Sequence, residues 1–182
     1  MTKSEAKSLI AIPARYGSTR FPGKPLANIC GKPMLQRVYE IAKLAVEDKD
    51  CEVLVLTEDT RILDFCRSNG INCAMTSDNC KTGSDRIVEA VGKLSYRPDF
   101  ILNLQGDAPL TPPWFLSKMM DKFLENRNEE MFMVTPGYKM TWEEVDGMRE
   151  EKKSTPFSGT RIILNQRNSD ARWFSQNIVR AI

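Results

Sequence analysis

Short apolar runs alternate with amphipathic segments over the first two thirds of this chain, and that alternation limits the fold more than any other feature. Ser8–Ile12 reads as a buried strand, followed by strands at Glu52–Thr57, Asn72–Met75 and Phe100–Leu104. Between and after them come helical patterns. Met34–Ala45 places Met34, Leu35, Val38, Ile41, Ala42 and Ala45 at helical spacing, and Thr60–Ser68 is closed by Asn69-Gly70. Ser84–Leu94 has Ser84 as its expected N-cap, and Pro112–Leu124 carries proline near its first turn. This order predicts an α/β fold, a three-layer sandwich with a mainly parallel sheet and helices on both faces. In such sheets ligands bind beyond the carboxyl ends of the strands.

The pattern weakens after about residue 130. Met131–Tyr138 and Arg161–Leu164 read as strands flanking a charged stretch, Glu143–Lys153, and Trp173-Phe174 begins a further strand or packs a subdomain. With 182 residues and 41% apolar content, the chain is long enough for one globular domain with a substantial core. Residues 1–182 are accordingly read as a single domain, with a core at about 8–125 and a smaller subdomain at about 130–182.

Composition removes several classes of function. A net charge of +2 gives no bulk case for binding nucleic acid or a membrane surface. The absence of histidine excludes a His general base, a His metal ligand and a Ser-His or Cys-His pair. Any metal must then be held by carboxylates, phosphates and water, which favours Mg²⁺ over Zn²⁺. The five cysteines have no C-x-x-C spacing, and the polar start Met1-Thr-Lys-Ser-Glu-Ala-Lys has no signal-peptide character. No apolar run approaches membrane-spanning length, so a cytoplasmic location with reduced thiols is expected.

The chemistry concentrates behind the first strand, in Pro13-Ala-Arg-Tyr-Gly-Ser-Thr-Arg-Phe-Pro-Gly-Lys-Pro-Leu26. Arg15, Arg20 and Lys24 are interleaved with Gly17 and Gly23 and with the hydroxyls of Ser18 and Thr19. Backbone N–H groups and cations converging at a strand end suit a polyphosphate. The spacing matches neither a Walker A loop nor a dinucleotide fingerprint. The other informative segments also follow strands. Asp107, in Gln105-Gly-Asp-Ala-Pro109, suits a metal bridging nucleotide phosphates, or alternatively caps the helix near Pro112. Thr76–Arg86 is a polar loop ending at a helix N-terminus. Glu58-Asp59 follows the second strand, where it either faces the cleft or, as the favoured reading, forms a solvated acidic turn that begins a helix; Trp114 and Phe115 read as core, and Cys80 as a thiol with no base beside it.

The basic loop, continued by Gly31-Lys-Pro-Met34, resembles the opening signature of the cytidylyltransferases that activate 3-deoxy-manno-octulosonate (Kdo), the CMP-Kdo synthetases. The resemblance implies a nucleotide-diphospho-sugar transferase fold of Rossmann-like type. It also implies attack of an ulosonic acid 2-hydroxyl on the α-phosphorus of CTP, giving a CMP-sugar for lipopolysaccharide biosynthesis and pyrophosphate. The implied catalytic residues are Arg15, Lys24 and Asp107, with Asp107 holding Mg²⁺. The implied nucleotide contacts are Ala14, Arg15, Gly17, Ser18, Arg20, Lys24, Thr76, Gly83, Ser84, Arg86 and Gln105. Gln105 and Gln176 are the implied sugar contacts, and a homodimer is expected of a full-length form.

This chain departs from the family pattern in three places. Ala108 stands where members usually carry Glu, and Cys80 where many carry His. Gln176 replaces an Arg that helps hold the acidic sugar, which points to weakened recognition of that sugar or to a variant such as 8-amino-Kdo. The chain is also shorter than family members. The competing readings are another sugar nucleotidyltransferase of the same fold and a catalytically silent CTP-binding fragment.

Overall fold

The structure is a computed structural model that describes residues 7–17, 21–126, 133–154, 160–165 and 171–175. The chain divides into two compact units, residues 1–134 and 135–182.

The first unit begins with β1 (Ser8–Pro13) and a short hairpin, β2 (Asn28–Ile29) and β3 (Lys32–Pro33), that leads into α1 (Met34–Ala45). There follow β4 (Cys51–Thr57), α2 (Thr60–Ser68), β5 (Cys73–Met75), α3 (Gly83–Val91), β6 (Phe100–Asn103) and α4 (Pro113–Glu125). The predicted helices α1 and α2 have the observed bounds. The four long-range strands form one sheet in the order β5-β4-β1-β6, and every pairing is parallel. The register places Ile10 beside Val53 on one side and Leu102 on the other.

Alternation along β1 explains the three layers, because successive side chains leave a strand on opposite faces. Ile10 and Ile12 join Val53, Val55 and Leu102 in a core with Leu35, Val38 and Ala42 of α1, Ile62 and Cys66 of α2, and Leu116 and Met120 of α4. Leu9 and Ala11 face the other way, where Leu54 and Leu56 meet Ile87 and Ala90 of α3. Both faces of β1 are thus apolar, and full burial of each Leu or Ile contributes about 1.5–3 kcal/mol.

The strand order also fixes where a ligand can bind. The chain builds outward from β1 through β4 to β5, then returns to place β6 against the opposite edge of β1. The carboxyl ends of β1 and β6 therefore flank the point where the order reverses, the crevice that open α/β sheets use for ligands.

Three expectations are corrected in this unit. The N-cap of α3 is Thr82, not Ser84. Thr82 Oγ1 accepts from Asp85 N at 3.1 Å while Asp85 Oδ2 accepts from Thr82 N at 2.8 Å, a reciprocal capping box. Trp114 is not core but 55% exposed, packed edge-on against Phe115, which is half-buried. The cause is helical phase: Leu116 and Met120 share the inward face of α4, and Trp114 lies two residues, about 200°, from that direction. The third, Glu58, belongs to the site described below.

The second unit holds α5 (Trp142–Glu151) and an antiparallel pair, β7 (Arg161–Leu164) and β8 (Ala171–Ser175). The charged stretch is mostly helix, started by a second capping box in which Thr141 Oγ1 accepts from Glu144 N and Glu144 Oε2 accepts from Thr141 N. No strand forms over residues 133–138, and residues 131–132 lie outside the described set. Pro136 lacks an N–H for a ladder, and Gly137 beside it weakens extended pairing.

Candidate active site

At the switch point two turns are forced together. After β6, residues 105–108 form a turn in which Ala108 N donates to Gln105 O at 3.0 Å, and Gly106 N lies 3.3 Å from Pro13 O. A Cβ on Gly106 would sit 2.9 Å from that Pro13 carbonyl oxygen and 3.3 Å from Ala14 Cβ, so only glycine lets the β6 turn lie this close to the end of β1. The approach carries Asp107 to the basic loop: Lys24 Nζ lies 2.7 Å from Asp107 Oδ2 across 83 residues of sequence. Both side chains are more than a third exposed, so the pair contributes little stability and remains available to a ligand.

Beside this pair lies an open cleft of about 180 Å³, lined by Pro13, Ala14, Arg15, Lys81, Thr82, Gly83, Arg86 and Gln105. Arg15 spans it, with Nη2 donating to the carbonyls of Cys80 at 3.2 Å and Lys81 at 3.3 Å. Gln105 Nε2 donates to Asn103 Oδ1 at 2.8 Å. The N-terminus of α3 opens on the cleft at Gly83, so the positive end of the helix adds to Arg15 and Lys81 there.

Arg86 forms the deep wall. Its side chain is 3% exposed, and Nη2 lies 2.6 Å from Glu58 Oε2. That carboxylate oxygen is buried and accepts no hydrogen bond, so the contact is an ion pair without N–H alignment. The Arg86 guanidinium also bonds the hydroxyl of Thr76, which is itself buried. Glu58 is therefore not a solvated acidic turn, as its sequence suggested. It directly follows β4 where α3 crosses, and burial of Arg86 requires a counter-charge there. Asp59 beside it caps α2 by accepting from Arg61 N at 2.9 Å.

The loop from residue 77 to residue 82 is tied down by Glu89. Its carboxylate accepts from Ser77 N at 2.9 Å, Cys80 Sγ at 3.1 Å and Lys93 Nζ at 2.5 Å. These bonds, led by the one from Lys93, pull the Glu89 carboxyl down to about 2. The same contact with Glu89 pushes the Cys80 thiol up and disfavours the thiolate, but it also corrects the expectation that no base stands beside this cysteine, since the Glu89 carboxylate does.

Of the residues singled out in the sequence, Ala14, Arg15, Gly83, Arg86 and Gln105 converge on the cleft, and Lys24 and Asp107 meet at the switch point. Ser84 is exposed on the first turn of α3. Thr76 stands behind the wall holding Arg86, and Gly17 is exposed beyond Tyr16. Ser18, Arg20 and Gln176 lie outside the described residues. Among the described residues there is no group of three or more metal-ligating side chains, and no helix is long and apolar enough to cross a membrane.

A family model described as Cytidylyltransferase matches residues 9–162. The chain belongs to the cytidylyltransferase family. Among its relatives, a 3-deoxy-manno-octulosonate cytidylyltransferase of Maricaulis maris is 41% identical over 171 residues, covering 94% of this chain and 64% of the relative. An 8-amino-3,8-dideoxy-manno-octulosonate cytidylyltransferase of Shewanella pealeana is 46% identical over 168 residues, with 92% and 64% covered. The chain thus spans just under two thirds of the length of these curated relatives. A solved structure of CMP:2-keto-3-deoxy-manno-octonic acid synthetase complexed with CTP superposes with a TM-score of 0.74 at 32% identity, covering 94% of this chain and 65% of that one. The family fold, a parallel sheet sandwiched by helices, is the one predicted from the β/α alternation.

The sequence reading preferred a solvated Glu58 to one facing the cleft, and it missed Glu89 and Lys81 as parts of the site. Glu58 had a usable signal, since it directly follows a buried strand at its carboxyl end, where site residues collect. Glu89 had none, because an acid on an exposed helix turn is ordinary until the facing loop is known.

Proposed function

We propose that this chain carries the nucleotide site of an enzyme that transfers CMP from CTP to an eight-carbon ulosonic acid, Kdo or its 8-amino variant. The observation that carries the reading is the meeting of Lys24 and Asp107 at the topological switch point, beside a cleft walled by Arg15, Gly83, Arg86 and Gln105. The relatives named above support the choice of CTP and of the acceptor class.

In this reading Arg15 and Lys24 hold the triphosphate, with Arg20 assisting, and neutralise charge that builds on the phosphates as the sugar 2-hydroxyl attacks the α-phosphorus. Arg15 is pre-oriented across the cleft by two carbonyls, which reduces the ordering required when phosphate binds. Gly83, Ser84 and Arg86 hold the cytidine, with Thr76 behind Arg86, and Gln105 reaches the ribose or the sugar. Gln176 is the remaining sugar contact.

Mg²⁺ fits the donor set. Asp107 offers a single exposed carboxylate at a strand end, and Mg²⁺ commonly takes one or two carboxylates with phosphates and water completing its shell. When bound there, the ion would neutralise phosphate charge and favour departure of pyrophosphate. Lys24 bonds only Oδ2 of this carboxylate, so the pair leaves Asp107 able to take the ion, and the triphosphate would offer Lys24 a further partner.

The test is pyrophosphate release from CTP, UTP, GTP and ATP, each with Mg²⁺ and with Kdo or 8-amino-Kdo. Release with CTP and one of the two acids is the expected result. Release with a different nucleotide, or CTP binding without turnover on either acid, would overturn the proposed activity.

A further inference from the structure

The neck of the basic loop is clasped from outside the cleft. Tyr16 O accepts from Gly23 N at 2.9 Å, closing the loop with Arg15 at its entrance and Lys24 at its exit. The guanidinium of Arg61 lies over the Tyr16 ring, its central carbon 3.3 Å from the ring centroid. Asp59 holds that guanidinium in place, accepting from Nε at 2.9 Å and Nη2 at 2.6 Å. Gly23 abuts the phenol end of the same ring. Its φ is +72°, and a Cβ there would sit 2.9 Å from both Tyr16 Cζ and the hydroxyl oxygen.

This arrangement is poorly explained as a device for overall stability. The Arg61 side chain is mostly exposed, and neither Arg61 nor Tyr16 lines the cleft. Its effect is local: α2, anchored to the sheet through Ile62 and Cys66, presents a fixed cation to the aromatic ring at the neck of the loop.

We propose that Arg61 is a positioning residue that stacks on Tyr16 to hold the loop neck closed, and so sets the separation of Arg15 and Lys24 that a nucleotide triphosphate requires. The proposal rests on the nucleotide reading above. Opening the neck lets the two cations drift apart, and the apparent affinity for triphosphate falls by the fraction of closed loop that is lost.

The experiment compares the full chain with Arg61→Met, Arg61→Lys and Gly23→Ala. It measures amide hydrogen exchange at Gly23, CTP affinity by calorimetry, and thermal stability. Arg61→Met is expected to speed Gly23 exchange by about two- to fivefold, the range for an exposed cation–π contact. Core amides such as Leu56 should keep their rates, and Arg61→Lys should recover part of the protection. Gly23→Ala places a side chain in the left-handed region against the ring, and a loss of CTP affinity of about tenfold is expected.

Unchanged Gly23 exchange in Arg61→Met would overturn the clasp. Faster exchange with wild-type CTP affinity in Gly23→Ala would overturn its link to nucleotide. A wild-type chain that binds no CTP would refute the nucleotide reading itself, and the proposal with it, which the unmodified protein reveals before any variant is compared.

Discussion

Replacing Glu58 with glutamine removes the charge that faces Arg86 and changes little else in shape. Arg86 is 2% exposed, and its guanidinium lies 2.6 Å from the Glu58 carboxylate. Breaking a buried ion pair from one side typically costs about 3–5 kcal/mol, because the remaining charge stays in the interior. The Glu58 side chain is one-fifth exposed, so water offsets part of that cost, and we expect a loss of about 2–4 kcal/mol. For a unit of this size that is a fall in melting temperature of roughly 10 °C. Urea unfolding of the wild type, Glu58→Gln, Arg86→Met and the double variant Glu58→Gln/Arg86→Met supplies the measurement. The double variant should be less destabilised than the sum of its single changes, since it leaves no charge buried. A Glu58→Gln loss below about 0.5 kcal/mol, the range of ordinary surface changes, would refute the argument that Arg86 depends on this carboxylate.

Gly106→Ala should cost about 1–3 kcal/mol by overpacking, because its Cβ would meet the Pro13 carbonyl, a backbone atom with little room to move. It should also lower pyrophosphate release by more than the stability loss explains, since it displaces Asp107; an unaltered rate would contradict the close-approach argument. Asp107→Asn should reduce turnover at least a hundredfold at saturating CTP and Mg²⁺, and near-normal turnover would remove Asp107 from the mechanism. Glu89 has a folded-state value of about 2, below that of an unfolded glutamate, so its stabilising contribution is present above about pH 4.5 and is lost as pH falls toward 2. Glu89→Gln should therefore flatten the acid limb of stability between these values, as measured by denaturation across that range. Thiol labelling resolved by mass spectrometry should modify exposed Cys30 before Cys80 or Cys66, both of which are buried; early labelling of Cys80 would mean that its bond to Glu89 does not hold.

The alternation of apolar runs and helical patterns was enough to specify a parallel sheet with helices on both faces. Strand burial and helical periodicity are local properties, written in the spacing of Leu9–Ile12 and of Leu35, Val38 and Ala42. Capping was legible in type but not in position, because Thr82 and Ser84 are both good caps, and Asp85 reciprocates with the residue three positions before it. The cation-rich loop and Gln105-Gly-Asp107 could likewise be found from composition at strand ends.

What the tertiary structure decided is which of these elements meet. The 2.7 Å contact of Lys24 with Asp107 depends on β6 returning to the edge of β1 opposite β4, a matter of strand order that no local pattern encodes. Glu58 looked solvated because its own neighbours in sequence are polar; only the placement of α3 over the end of β4 shows that it faces a buried guanidinium. Trp114 looked buried because it falls where a helix packs on the sheet, yet the phase of that helix turns it outward. Local sequence sets the conformation of each segment, whereas the charge and dielectric around a side chain are set by segments remote in sequence, and those are fixed only when the sheet closes.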